Sequence, residues 1–518
     1  MSNHVSLSSF RKLHIKEGLN VGLSWQVDSS QRAQSSTETV TKLKSLAAGS
    51  LNMRLIKINK GKAEGPKLED FTYSVDKPPY MIFSHRWLQA DGGDVTFEEF
   101  QSSSSELKQA FKKKGRKERE AKLNELGLRV VAFYKLLQAI EIASIAGAEY
   151  IWIDSCCINR ANSSELTEAL NSMYRYYEKA TKCLVYLHDV KWSRTADGEK
   201  QPVRSYDFSK PEWFTRGWTL QELIAPKQVS FYNKDWKYFG ELAEHAKAIE
   251  EVTNVPEMVL KGDIKPNKCS VAQRMSWAAN RNTTRDEDMS YSLFGLFDVN
   301  LVPMYGEGGT KAFIRLQEAI MSRTNDMSLF AWQSTDNEEE YRGVLARSPK
   351  EFGRAGELID KRILGSNPEF SMTNRGLKIM PLLAKKRDGT LFLPLNCTKT
   401  GENSVQSFGI ILRKQRENDT ELCRYKPGVL FPFDWAIFMD EYAFWLKQSE
   451  TPIYIVRDER HRKHTSRGSS PPTVSRRREQ RGISTSRRAA HNSERVRRPS
   501  PSDNTVQSGL RRRGNEEG

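Results

Sequence analysis

Cysteine is scarce in this 518-residue chain. The six thiols, Cys156, Cys157, Cys183, Cys269, Cys397 and Cys423, include no C-x-x-C pair and stand beside no histidine at zinc spacing. A disulfide framework and a zinc module are therefore excluded, and no metal site is expected. Long apolar stretches are also missing. With no run of 18 apolar residues and no signal peptide, the sequence predicts a soluble, intracellular, cytoplasmic chain. No internal repeat is visible, which removes propellers and solenoids. A phosphate-cradling P-loop needs G-x-x-x-x-G-K-[ST]. The nearest run, Gly306-Glu307-Gly308-Gly309-Thr310-Lys311, has the wrong spacing and lacks the final hydroxyl residue, so it reads as a tight turn before a helix.

Positive charge is plentiful but unevenly placed. Between Arg457 and Gly518 stand 17 Lys and Arg against 7 Asp and Glu, so this stretch supplies ten of the sixteen net positive charges. Rich in Arg, Ser and Pro and nearly free of large apolar side chains, residues 457–518 cannot bury enough surface to offset chain entropy, and a disordered basic tail is expected. Such a tail admits RNA, anionic lipid or a nuclear address as partners, although a solvated tail without a specific partner is the commoner case. Residues 1–52, rich in Ser, Thr and Lys, read as a flexible leader.

Between leader and tail, apolar runs of strand length alternate with helical patterns. Tyr80–Ser84, Tyr150–Ile153, Cys183–Leu187 and Val229–Tyr232 are continuous apolar runs suited to strands covered on both faces. Val130–Ile145 has helical periodicity closed by Gly147. Asn162, with Glu165 three residues on, caps a second helix whose stripe runs Leu166, Ala169, Leu170, Met173, Tyr174 and Tyr177. This alternation predicts an α/β core with a mostly parallel sheet over residues 53–240, interrupted by a charged, exposed and partly helical insertion at 91–127. A helical continuation at 241–330 and a smaller β-rich domain at 331–456 follow.

Three blocks place polar residues at the edges of these elements: PYMIFSHRW (79–87), YIWIDSCCIN (150–159) and WFTRGWTLQELIAP (213–226). In open α/β sheets ligands bind outside the carboxyl ends of strands, so Ser84, His85, Trp87 and Asp154 are candidate binding residues. Together with SWAANRNTTRDEDMSYSLFGLFDVN and MYGEGGTKAFIRLQEAI, these blocks resemble the fungal heterokaryon incompatibility (HET) domain and its downstream region. The sequence departs from that pattern at Arg86 and at Asn159-Arg160.

The resemblance implies a role in non-self recognition ending in cell death, with self-association and other incompatibility proteins as partners. HET domains in turn resemble the TIR fold, whose NAD-cleaving members carry W-C-x-x-E-L. Here the matching run is Trp218-Thr219-Leu220-Gln221-Glu222-Leu223. Glu222 is by that resemblance the catalytic candidate, with Arg216 and Trp218 as further substrate contacts and NAD or NADP as substrate rather than cofactor. One carboxylate suffices for that chemistry, because nicotinamide leaves a cationic precursor as a neutral molecule and needs no general acid. Without the resemblance, a Glu on a short amphipathic helix is ordinarily solvated or ion-paired. The alternative function is a non-catalytic death-signalling adaptor acting through homotypic association. A thiol hydrolase built from His85, Asp154 and Cys156 or Cys157 has weaker grounds, since adjacent cysteines leaving a buried strand usually pack the core.

Overall fold

The apolar runs become the centre of a seven-stranded sheet. The computed structural model describes residues 52–457 apart from 60–64, 73–76, 88–92, 192–207, 209–210, 337, 362–366, 381, 386–389, 401–404, 435–445 and 449–450. Both the leader (save Asn52) and the basic tail (save Arg457) lie outside the described residues. Strands β1 (Arg54–Lys57), β2 (Lys67–Asp70), β3 (Met81–His85), β4 (Tyr150–Ile153), β5 (Lys182–Tyr186), β6 (Val229–Tyr232) and β7 (Tyr238–Glu241) lie in the order β2-β1-β4-β3-β5-β6-β7. The four central strands are parallel, with Phe83 opposite both Ile153 and Leu184. Pairing at both edges is antiparallel, β1 with β2 and β4, and β7 with β6. The expected mostly parallel sheet is thus parallel at its centre and mixed at its edges, where short polar runs such as Lys67–Asp70 close it.

Chain order makes β3 the pivot of the sheet. The connection from β3 leads to β4 on one side, and the chain then returns to place β5 on the other. Such a reversal opens a crevice at the carboxyl ends of the strands, where ligands bind in doubly wound folds. Ser84, His85 and Asp154 all sit at that edge.

The segment expected as an exposed, partly helical insertion keeps many exposed residues but anchors a few to the core. Its described part forms helices Phe97–Ser102, Ser104–Phe111 and Arg116–Glu125, burying Phe97, Phe100, Leu107, Ala110 and Leu123. The few apolar residues lie three or four apart, so each short helix still presents one dry face. Arg119 is buried with them and donates to Glu141 at 2.7 Å. Asn162 caps the helix Ser163–Lys179 through Ser164 and Glu165, and its stripe faces inward, burying Ala169, Leu170, Met173, Tyr176 and Tyr177.

Short helices and loops fill residues 257–330, and the helix Gly309–Met321 buries Phe313, Leu316 and Ile320. Antiparallel strands follow, with Leu391–Thr400 and Val405–Arg413 at the centre of the larger sheet. One apolar core runs from Met53 to Ile455 and joins these regions to the first sheet. Arg342 and Arg424 are buried within it, both stacked on Trp332, and Arg342 is held by Glu351 at 2.9 Å. No helix among the described residues is long and apolar enough to cross a membrane.

Candidate functional site

β3 ends in Ser84 and His85, and both side chains are buried. The sheet turns Ser84 towards the short helix Thr219–Ile224, where its hydroxyl donates to Glu222 across 138 residues of sequence. Trp213, in the one-turn helix Glu212–Thr215 just before, donates its indole N–H to the same Ser84 oxygen at 2.9 Å. Ser84 thus accepts from a buried indole and hands its own proton to the carboxylate. The Tyr177 hydroxyl also reaches Glu222. Ser84 holds one Glu222 oxygen, while the Tyr177 hydroxyl is shared with the Phe83 carbonyl at 3.4 Å.

Burial pushes the Glu222 carboxyl up to about 8, and the charge of Asp154 adds to that effect. Ser84, Tyr177 and Arg216 oppose it without prevailing. Arg281, wholly buried from the SWAANRNTTRDED block, also faces this carboxyl. Burial draws its guanidinium down to about 9, and Glu222 works in the other direction. Arg281 donates to the Arg216 carbonyl at 2.8 Å and to the Thr219 hydroxyl at 3.0 Å, which fixes the start of the Glu222 helix.

Asp154 follows β4 directly and divides its contacts. Trp87 donates to it at 2.8 Å, Arg160 lies 3.4 Å away, and the Arg160 guanidinium stacks on Trp87 at 4.2 Å. His85 Nε2 is 4.0 Å from Asp154 and 3.6 Å from Asp94, beyond hydrogen-bond reach of either. Asp94 is itself paired with the buried Lys135 at 2.8 Å. Burial alone would raise the Asp94 carboxyl, but His85 and Lys135 outweigh it and hold it well below the usual range.

The structure therefore joins Ser84, Glu222, Asp154, Trp87 and His85 along one edge, and places Arg216 beside them. Trp218 is different: it packs against the core and its indole serves Asp288, which also accepts from Tyr305 at 2.9 Å. Arg216 is half-buried, and its guanidinium donates to Thr284 at 3.3 Å. Both departures from the family pattern have partners, Arg86 with Glu212 and Arg160 with Trp87 and Asp154. His188, Asp189 and Glu212 approach one another closely enough to share a cation. The pairing of Glu212 with Arg86 and of Asp189 with the Glu212 amide already satisfies that group.

The cysteines do not support thiol chemistry. Burial lifts the Cys157 thiol to about 12 and Cys156 well above its ordinary value, so neither supplies a thiolate near neutral pH. Cys157 instead accepts the Ile153 amide at 3.4 Å.

Sequence reasoning missed Trp213, Tyr177, Arg281, Asp94 and Lys135 as members of this neighbourhood. Lys135 left a legible signal, a lone cation inside the apolar run VVAFYKLLQAI. Asp94 left none, since it lies in the segment read as exposed.

The sheet brings Asp154 and Glu222 to the carboxyl end of its pivot strand, and a helical stretch and antiparallel strands follow. Residues 80–208 match the family described as heterokaryon incompatibility protein (HET), and residues 311–374 match a domain of unknown function, DUF8212. Residues 80–208 are thus similar to a HET domain. Over 244 residues it is 42% identical to the vegetative incompatibility protein HET-E-1 of Podospora anserina, a stretch that covers 47% of this chain and 16% of that protein. The match thus spans about a sixth of the relative's length. The family match ends before Glu222, which lies downstream of it. No solved structure matches the chain.

Proposed function

We propose that this chain is an effector of fungal non-self recognition, whose HET domain hydrolyses the nicotinamide–ribose bond of NAD or NADP in a TIR-like manner. The observation that carries the reading is the Ser84–Glu222 contact, which holds a part-buried carboxyl beside the end of β3, where the strand order reverses. With its value at about 8, that carboxyl is largely protonated at neutral pH before substrate enters. A pyridinium cation entering beside it favours the charged form, and the proton passes to solvent before bond cleavage.

The C–N bond then breaks with its electron pair remaining on nicotinamide, which departs neutral. The ribosyl cation left behind faces the Glu222 carboxylate in a site of low dielectric, where a fixed anion is most effective. Water adds to the cation and loses its proton. Arg86 and Arg216 bring positive charge to the same edge and suit the pyrophosphate.

Wild type and Glu222→Gln would be expressed at matched levels in fungal cells while growth and the NAD pool are followed. The enzyme reading expects arrest with NAD loss in the wild type and neither in the variant. Arrest by the variant at an intact NAD level would instead favour an adaptor that works by self-association.

A further inference from the structure

We propose a second ligand site, a cleft for a small phosphate monoester at the amino end of the helix Gly309–Met321. The cleft encloses about 310 Å³ between that helix, the Asn282–Ser290 segment and the turn Arg347–Lys350. This lies at the small end of the range for small-molecule pockets. It does not depend on the chemistry assigned to Glu222.

The first three N–H groups of a helix have no partner within it, and Gly308, in the capping position, has no side chain to accept from them. Gly309, Thr310 and Lys311 therefore direct three donors and the positive end of the helix dipole outward, with Gly309 and Thr310 on the cleft wall. Ser290 is the second, independent observation. It is wholly buried, it lines this cleft, and its hydroxyl has no hydrogen-bond partner. A buried hydroxyl left unpaired is costly, and a phosphate oxygen in the cleft would satisfy it.

Around these donors stand the hydroxyls of Thr310 and Ser348, the exposed ammonium of Lys350, and the Nε of Arg347, which is buried and unpartnered although the same guanidinium pairs with Glu339 at 2.5 Å. Gly309 is required by close approach: a Cβ there would lie 2.9 Å from the Asp286 Cβ and 3.1 Å from its carbonyl oxygen. Asp286, exposed at the rim, opposes a second phosphate but suits a sugar hydroxyl, while Met289 and Phe313 offer an apolar wall. Glu287 already accepts the Gly306 and Gly308 N–H groups at 2.9 and 3.1 Å, so the glycine run that fails as a P-loop leaves the N–H groups of Gly309, Thr310 and Lys311 for a single phosphate.

The full chain would be titrated calorimetrically with inorganic phosphate and, separately, with AMP. One saturable site is expected for each probe, with AMP bound more tightly if the apolar wall takes the base and equally if the phosphate alone is held. Lys350→Glu should abolish binding, and Ser290→Ala should weaken it about tenfold, the worth of one hydrogen bond to a charged group. Because Lys350 is exposed, its variant keeps the test decisive should Ser290→Ala misfold. Absence of saturable binding to both probes at millimolar concentration overturns the proposal, as does binding that Lys350→Glu leaves unchanged, which would place the anion on the basic tail.

Discussion

Replacing Glu222 by Gln should stabilise the protein, and increasingly so as pH rises. The folded chain holds this carboxyl at about 8 against an ordinary 4.5, so between those values it retains a proton that the unfolded chain has released. Stability supplied by the protonated group is complete below 4.5 and is lost as pH climbs through 8. Linkage puts the cost of keeping Glu222 in its site at about 1 kcal/mol at pH 5, about 3 at pH 7 and about 5 at pH 9. Gln carries no such cost and still accepts from Ser84. Its amide hydrogens lack an assured acceptor, which takes back about 1 kcal/mol and leaves a net gain of about 2 kcal/mol at pH 7.

For a folded unit of this size the unfolding entropy corresponds to roughly 0.8 kcal/mol per degree, so the melting temperature should rise by about 2–3 °C at pH 7 and by more at pH 9. Scanning calorimetry or a dye-based melt at pH 5, 7 and 9 reads this directly. A variant less stable than wild type at both higher pH values, or a gain that does not grow with pH, would refute the reasoning. Glu222 would then be an ordinary ionised residue.

Ser84→Ala removes a hydrogen bond that lowers the Glu222 pKa and leaves the Trp213 indole unpaired. It should cost about 1–3 kcal/mol in denaturant melts, and the pH at which NAD cleavage half-rises should move upward. Iodoacetamide at pH 8 should label Cys269, which is partly exposed, and spare the five buried thiols, with activity unchanged by mass-matched assay. Loss of activity with label on Cys156 or Cys157 would revive the thiol mechanism. Glu351→Ala leaves the buried Arg342 with Glu339 as its one carboxylate partner and should destabilise the chain by about 1–3 kcal/mol in urea melts.

The elements legible in the sequence were those that local pattern determines. The four central strands fell within a residue of their positions, because a buried parallel strand must be a continuous apolar run. Asn162 was legible as a cap from a side chain and its third neighbour alone. The edge strands β2 and β7 were not, since a polar edge strand resembles a loop until its partner is known. The helices at 97–125 showed only as a partly helical insertion without bounds, since each buries no more than a residue pair. At the site, Ser84, Asp154 and Glu222 were each visible at the end of an element, but their meeting depends on strand order, which no local signal carries. Trp213 looked like core, and it is core, yet it also fixes the serine that fixes the carboxyl.

The central claim is that Glu222 stabilises a ribosyl cation. Concentrated purified protein would be incubated with NAD and nicotinamide followed chromatographically for wild type and Glu222→Gln, with circular dichroism confirming that both are folded. The account predicts release by the wild type that rises with pH through about 8 and falls by about 10²–10³ in the variant. Equal release by the two proteins would contradict it.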